Sequence, residues 1–221
     1  MTVLNAVAAP DVFHLTVNGD ARTDGQPASM RKVAHFAGPN VVLATAGDLR
    51  PFLSVVHAIE MGFDAGETFD SLLADMPAWL PAQWAHMAAH PAVAPNTDTK
   101  LVLAGWSTEH GSMVARLYEI SAAGHVVETD LCGRAVLMPC NVQGLPAPSD
   151  LDSLKAIARV QRRSHVEADD FPAGGYLDCV TLTRDGFEFE TLAADEWAPA
   201  DPLRLARPVL GFRFPAVTLP A

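Results

Sequence analysis

Residues 2–33, TVLNAVAAPDVFHLTVNGDARTDGQPASMRKV, decide the fold that the sequence predicts. They begin with two short runs of apolar and β-branched residues, separated by Pro10 and Asp11, which favour a turn. A second turn-rich segment, TDGQP at residues 23–27, then stands between the strand that Asp20 and Arg22 leave and the strand that Lys32 and Val33 enter. The opening of the chain therefore predicts closely spaced antiparallel strands.

The elements that follow come in blocks. Phe52, Val55 and Ile59 recur at intervals of three and four, which predicts a helix ending at Gly62. The next stretch predicts two more helical segments, over 67–80 and 81–91. The other predicted elements are strands within 29–48 and at 99–107, 115–121 and 126–130, a helix over 150–169 and a hairpin over 175–192.

This order does not fit the regular strand–helix alternation of a doubly wound parallel sheet. It fits two antiparallel sheets packed face to face with helices on their outer faces, an α+β fold in four αββα layers. The chain has 221 residues, of which 49% are apolar, so it can bury a large core. We expect one domain over 1–195 and a proline-rich tail over 196–221.

Bulk properties exclude several classes of partner. The formal net charge of −11 argues against nucleic acid and anionic membrane surfaces. No apolar stretch is long enough to span a bilayer, and no Lys or Arg precedes Arg22, which argues against a secretory signal. Cys132, Cys140 and Cys179 are scattered and odd in number, which argues against a disulfide framework and fits a reducing cytoplasm.

The second residue offers a reactive group. If Met1 is removed, Thr2 carries both a hydroxyl and a free α-amine, whose reference pKa of about 7.7–8.0 lets it accept a proton near neutral pH. Such a hydroxyl needs a nearby cation, and Lys32 can lie beside Asp20 across the predicted hairpin. Gly47 ends a strand before a helix, where a backbone N–H can stabilise an oxyanion.

Five segments carry these residues in a characteristic order. They are GDAR at 19–22, RKV at 31–33, VLATAGD at 42–48, the hairpin TKLVLAGWS…ARLYEIS, and EADDFPAGGYLDCVTLTRDGFE at 167–188. Together they resemble the proteasome β-subunit family, including its simpler bacterial relatives, within the N-terminal nucleophile hydrolases. The resemblance runs from Thr2 to about Phe189.

The resemblance implies a role for each matching residue. Thr2 would be the nucleophile and, through its amine, the general base. Lys32 would lower the pKa of the Thr2 hydroxyl, Asp20 would orient Lys32, and Gly47 would donate the oxyanion amide. Asp170 would help to order the threonine amine.

The resemblance also implies the activity. We expect a cytoplasmic threonine-type peptidase or amidohydrolase that cleaves a peptide or small amide substrate through an acyl-enzyme ester, with no cofactor and no metal. The family forms rings or stacks, so we expect a homo-oligomer, with the tail as a candidate contact.

Two departures keep other functions open. Ala173 stands where the family usually has a serine before a Gly-Gly pair, and Cys132–Arg134 stands in place of a Gly-Ser-Gly turn. An inactive proteasome-like scaffold and a non-peptide amidase on the same fold are therefore alternatives.

Three other features predict no chemistry. His86 and His90 have the i, i+4 spacing of a metal pair but lack a third ligand and the glutamate of H-E-x-x-H. Cys132 is expected to be a buried thiol, and Arg162–His165 are expected on the exposed face of a helix.

Overall fold

The computed structural model describes residues 2–23, 26–64, 66–90, 97–138, 147–167 and 175–197. Within them the chain forms two five-stranded antiparallel sheets, a separate two-stranded hairpin and four helices, which confirms the α+β prediction. The elements are β1 Leu4–Ala9, β2 Val12–Asn18, β3 Asp20–Thr23, β4 Gln26–Ser29, β5 Val33–Phe36, β6 Val41–Gly47, α1 Leu49–Asp64, α2 Phe69–Ala88, β7 Thr99–Ser107, β8 Ser112–Ile120, β9 Val126–Asp130, β10 Ala135–Met138, α3 Leu151–Glu167, β11 Leu177–Thr183, β12 Phe187–Leu192 and α4 Ala194–Trp197.

The two large sheets face each other. The first sheet has the strand order β10-β1-β2-β11-β12, and the second has β5-β6-β7-β8-β9. Alternation along β2 directs Phe13, Leu15 and Val17, all fully buried, into the core between the sheets. Val42 and Ala44 of β6 reach the same core from the second sheet. The two inner faces therefore share one apolar layer.

Helices cover both outer faces. α1 and α2 pack on the second sheet, where Phe52 and Trp84 join a core with Leu101 and Leu103 of β7. α3 packs on the first sheet, where Ala158 meets Leu177 and other buried residues. The arrangement is the four-layer αββα sandwich that the sequence predicts. None of the helices in the described segments is long and apolar enough to cross a membrane.

α2 corrects the prediction of two short helices. It runs without a break through Pro77 and Pro81, both of which are exposed. Its buried residues keep a spacing of three to four across the prolines: Phe69, Leu72, Met76, Leu80, Trp84 and Met87. Burial of this apolar stripe offsets the backbone hydrogen bonds that the prolines remove, so tertiary packing overrides the local rule.

Other boundaries also differ from the predictions. α1 continues past Gly62 to Asp64, so Gly62 does not end it. The sequence analysis missed β10 and α4; α4 crosses the expected boundary at 195/196 and ends at Trp197, which is fully buried. The rest of the tail, 198–221, lies outside the described residues.

The prediction that Arg162–His165 face solvent is wrong at its first residue. Arg162 is 9% exposed because its guanidinium lies 4.3 Å from the centre of the Trp197 ring and its Nη1 donates to the Ala194 carbonyl at 3.0 Å. The preceding Gln161 is fully buried and exchanges two amide hydrogen bonds with Asn5 of β1, at 2.8 and 3.0 Å. These contacts tie α3 to the first sheet and to α4.

Replacing Pro77 by Ala should stabilise the protein. Ala restores a backbone donor within α2 and removes a residue that costs about 3 kcal/mol in a helix interior, partly offset by the greater freedom of the unfolded chain. We expect the free energy of unfolding to rise by about 1–2 kcal/mol in urea titrations followed by circular dichroism. Pro10→Ala is the control, because Pro10 lies in the turn between β1 and β2 and its removal should give no gain. A destabilised Pro77→Ala variant would contradict this account of α2.

Candidate active site

The structure brings the Thr2 hydroxyl and the Lys32 ammonium together. Lys32 Nζ donates a hydrogen bond to Thr2 Oγ1 at 2.8 Å. Lys32 is 2% exposed, although lysine is among the residues least often buried. A cation held out of water against a hydroxyl interacts with it more strongly than a cation on the surface would.

The residue after Thr2 is firmly anchored. Val3 is fully buried beside Leu177 and Trp197, and both of its backbone groups bind Asn18 at the end of β2. The Val3 amide donates to Asn18 Oδ1 at 2.8 Å, and the Asn18 amide donates to the Val3 carbonyl at 3.0 Å. Val3 therefore holds Thr2 in place at the start of β1, an interior strand of the first sheet.

Lys32 is held by the second sheet. Its carbonyl accepts a hydrogen bond from the Thr45 amide at 2.9 Å, which extends the pairing of β5 with β6 by one residue beyond Val33. Thr45 is fully buried, and its hydroxyl donates to the Lys100 carbonyl of β7 at 3.2 Å. Thr2 and Lys32 thus come from different sheets and meet where the sheets face each other.

Asp20 begins the hairpin of β3 and β4. Its backbone pairs with Ser29, so Lys32 lies three residues beyond the position opposite Asp20. The Asp20 side chain is not among the described side chains, so its expected pairing with Lys32 stays a prediction.

Gly47 ends β6, and Asp48 alone separates it from Leu49, where α1 begins. Its φ is +105°, a backbone conformation that L-residues with side chains rarely adopt. A Cβ at this position would also overlap the carbonyl oxygen of Asp98 and would lie 3.0 Å from the Thr99 Cα. The strand-to-helix turn at the predicted oxyanion amide therefore requires glycine.

A second close approach lies next to the Thr2 end of β1. The Gly19 amide donates to the Tyr176 carbonyl at 2.9 Å, and the Tyr176 ring lies so close to Gly19 that a Cβ there would overlap the ring atom Cζ. The Tyr176 hydroxyl lies beside the Arg31 and Ser29 side chains, and burial raises its pKa. The tyrosine therefore bridges the first sheet and the segment leading to Lys32.

A buried carboxylate lies on β11, two residues after Tyr176. Asp178 is fully buried, and Thr191 donates to its Oδ1 at 2.8 Å. Its Oδ2 lies 3.6 Å from Arg31 Nε. Burial raises the pKa of Asp178 although the Thr191 hydrogen bond and the charge of Arg31 act in the opposite direction.

The other predicted features add no described contact to this arrangement. Asp170 and Ala173 lie outside the described residues. The rings of His86 and His90 have centres 4.9 Å apart, and the described side chains contain no group of three or more potential metal ligands. The prediction of a buried Cys132 thiol is wrong: Cys132 is exposed in the turn between β9 and β10, where its amide donates to Asp130 Oδ1.

Sequence reasoning missed Asn18, Tyr176, Asp178 and Arg31. Asn18 and Asp178 carried a usable signal, because a polar residue inside a strand of buried apolar residues must have a partner. Tyr176 and Arg31 carried none, since their contacts join segments far apart in the sequence.

Gly47→Ala should strongly destabilise the protein. The variant combines an unfavourable positive φ with an overlap against the Asp98 backbone, so we expect a loss of at least about 2 kcal/mol in the free energy of unfolding. Gly38→Ala is the matched control: no atom lies within 4 Å of its added Cβ, and the change should stay within about 0.5 kcal/mol. Equal effects of the two substitutions would refute the requirement for glycine.

Asp178→Asn should gain stability relative to the wild type as the pH rises. A carboxyl whose pKa is raised by burial contributes most stability while protonated, below its ordinary pKa, and loses that contribution as the pH rises through its folded-state pKa. Asparagine keeps the acceptor for Thr191 but does not titrate. In urea unfolding, the free energy of unfolding of the variant minus that of the wild type should be larger at pH 7 than at pH 4.

Asp150→Asn should show the opposite trend. Hydrogen bonds from Ser153 lower the pKa of Asp150, so its contribution is present at neutral pH and is lost as the pH falls. Relative to the wild type, Asp150→Asn should therefore lose more free energy of unfolding at pH 7 than at pH 4. The same trend in both variants would contradict the assignment.

Comparison with known proteins supports the fold. No protein-family model matches the sequence, and no curated protein sequence matches it significantly. The structure aligns with a Gly-1 mutant of Anbu from Hyphomicrobium sp. strain MC1 at a TM-score of 0.61 and 17% identity, over 89% of this chain and 89% of that chain. It aligns with Anbu from Yersinia bercovieri, an ancestral β-subunit, at a TM-score of 0.61 and 16% identity, over 87% of this chain and 88% of that chain. This protein therefore has the fold of Anbu, a bacterial proteasome β-subunit-like protein of the N-terminal nucleophile hydrolases.

Proposed function

We propose that this protein is an N-terminal threonine hydrolase that cleaves amide bonds, with peptides as its substrates. One observation carries the proposal: the buried Lys32 ammonium donates a hydrogen bond of 2.8 Å to Thr2 Oγ1. The Thr2 hydroxyl needs a nearby cation to stabilise its ionised form, and the Lys32 side chain contacts it directly.

Activation begins with removal of Met1, which leaves a free α-amine on Thr2. That amine accepts the Oγ1 proton, because its pKa lies near neutral pH. Lys32 keeps its own protons and stabilises the negative charge that develops on Oγ1. Asp20 and Asp170 are proposed to orient the ammonium and the amine, as the family resemblance implies.

The oxygen then attacks the substrate carbonyl and forms a tetrahedral intermediate, whose negative charge the Gly47 amide is proposed to stabilise. Collapse of the intermediate breaks the carbon–nitrogen bond. The proton held by the Thr2 amine passes to the leaving nitrogen, and an ester of Thr2 remains. Water hydrolyses the ester, with the same amine as base, and restores the hydroxyl.

The fold also supports a proposal about assembly and location. We propose that the protein acts as a homo-oligomer. Leu53 and Met61 on α1 are 54% and 60% exposed, and burying them would favour association. We also propose a reducing cytoplasm, where the free Cys132 and Cys179 are stable as thiols.

Labelling of the terminal threonine tests the activity. A peptide epoxyketone should add once per chain to Thr2, and intact-mass analysis should show that Met1 is absent. Lys32→Met keeps a long side chain without the charge and should slow labelling by about 100-fold to 1000-fold. The control is Lys100→Met, which removes a part-exposed lysine paired with Glu119 on β7 and β8 and should label normally.

Each outcome decides between the alternatives. Retained Met1 would refute catalysis through Thr2. Normal labelling of Lys32→Met would refute the role proposed for Lys32. Absent Met1 without any adduct would identify an inactive scaffold. Labelling without hydrolysis of unfolded polypeptides, together with hydrolysis of small amides, would identify a non-peptide amidase.

A further inference from the structure

We propose that Arg31 makes this site selective for substrates that carry a carboxylate close to the scissile amide bond. The inference rests on the proposed function, because it names the substrate class of the same site. It depends on how Arg31 is held, how much of it remains open, and where it stands relative to Thr2.

Arg31 contacts Asp178 and Phe189, and the Tyr176 hydroxyl lies beside it. Its Nε lies 3.6 Å from Oδ2 of Asp178, which is buried, and its guanidinium carbon lies 4.7 Å from the centre of the Phe189 ring. The aromatic ring supports the guanidinium plane, while the carboxylate attracts one of its edges. The arginine is therefore ordered before any ligand arrives, which lowers the entropic cost of binding.

The anchored guanidinium is still accessible. The Arg31 side chain is 59% exposed, whereas that of Asp178 is 1% exposed. Arginine has five N–H donors, and the contacts with Asp178 and the Tyr176 hydroxyl leave others for a ligand. A guanidinium edge matches a carboxylate with two parallel hydrogen bonds, so a carboxylate is the ligand that this geometry fits.

Arg31 stands close to the reacting groups. It directly precedes Lys32, and its partner Asp178 lies on β11, which is separated from β1 only by β2. Two strand spacings correspond to about 10 Å, and one extended residue spans about 3.3 Å. A carboxylate on a side chain one to three residues from the scissile bond, or at the chain end, would reach the guanidinium.

A purely structural role makes a different prediction. If Arg31 served only as the counter-ion of Asp178, its removal would affect stability and would act equally on all substrates. If it binds a substrate carboxylate, its removal acts on acidic substrates alone. The two roles are therefore separable by paired substrates.

The test uses fluorogenic peptides that differ only by Glu or Gln at each position within three residues of the scissile bond, with and without a free C-terminal carboxylate. At the best position, the wild type should prefer the acidic peptide by about tenfold to 100-fold in kcat/KM. Arg31→Gln should reduce that ratio to about one by raising KM for the acidic peptide. It should change kcat/KM for the neutral peptide less than about threefold.

Two variants guard against indirect effects. Arg31→Gln combined with Asp178→Asn removes both charges, so no buried carboxylate is left without its partner, and it should show the same loss of selectivity. Arg184→Gln is the matched control, because Arg184 is 66% exposed, lies 5.2 Å from the Trp106 ring centre and has an acidic neighbour, Asp185. Its selectivity should remain that of the wild type.

Failure of this inference and failure of the proposed function give different results. A wild type that labels at Thr2 but treats Glu and Gln peptides alike would overturn only the role of Arg31. A wild type that does not label would overturn the proposed function. In that case calorimetry with the N-acetylated Glu and Gln peptides still decides: tighter binding of the Glu peptide, lost in Arg31→Gln, supports the inference, and equal binding overturns it.

Discussion

The hydrogen bond between Lys32 Nζ and Thr2 Oγ1 connects two sheets that share no backbone ladder. Thr2 belongs to the first sheet through Val3 and Asn18, whereas Lys32 belongs to the second through Thr45. The contact therefore exists only while the two inner faces keep their relative position. Under the proposed function, the apolar core between the sheets is needed for catalysis as well as for stability, because misplacement by about 1 Å can cost a reaction about 100-fold in rate.

Polar contacts on the outer side of the first sheet help to maintain that position. The reciprocal amide pair of Asn5 and Gln161 fixes α3 against β1, and Asn5 also accepts from the Met138 amide of β10 at 3.3 Å. A shift of β1 by one residue would turn Asn5 toward the apolar core and leave its amide without partners. This buried pair thus specifies one register for β1, the strand that follows Thr2.

The sequence predicted most of the fold because the alternating pattern of β2 and the hairpins is local. The sequence-based prediction was wrong at α2. The prolines are a local signal for a break in the helix, whereas the packing that overrides them joins α2 to distant parts of the chain. The residues of the candidate site were found partly through the order of short motifs; the contact between Thr2 and Lys32 could not be read from spacing alone. The arrangement of Arg31, Asp178 and Phe189 was not predictable, because it joins residues from opposite ends of the domain through side chains.

The prolines of α2 have a consequence for how the chain assembles. A helix that lacks two internal backbone donors has little tendency to form by itself, since isolated helices are marginal even without such defects. Burial of its apolar stripe stabilises the helix only once the strands of the second sheet have paired and offer a surface to pack against. We therefore expect α2 to form late during folding, on strands that have already paired.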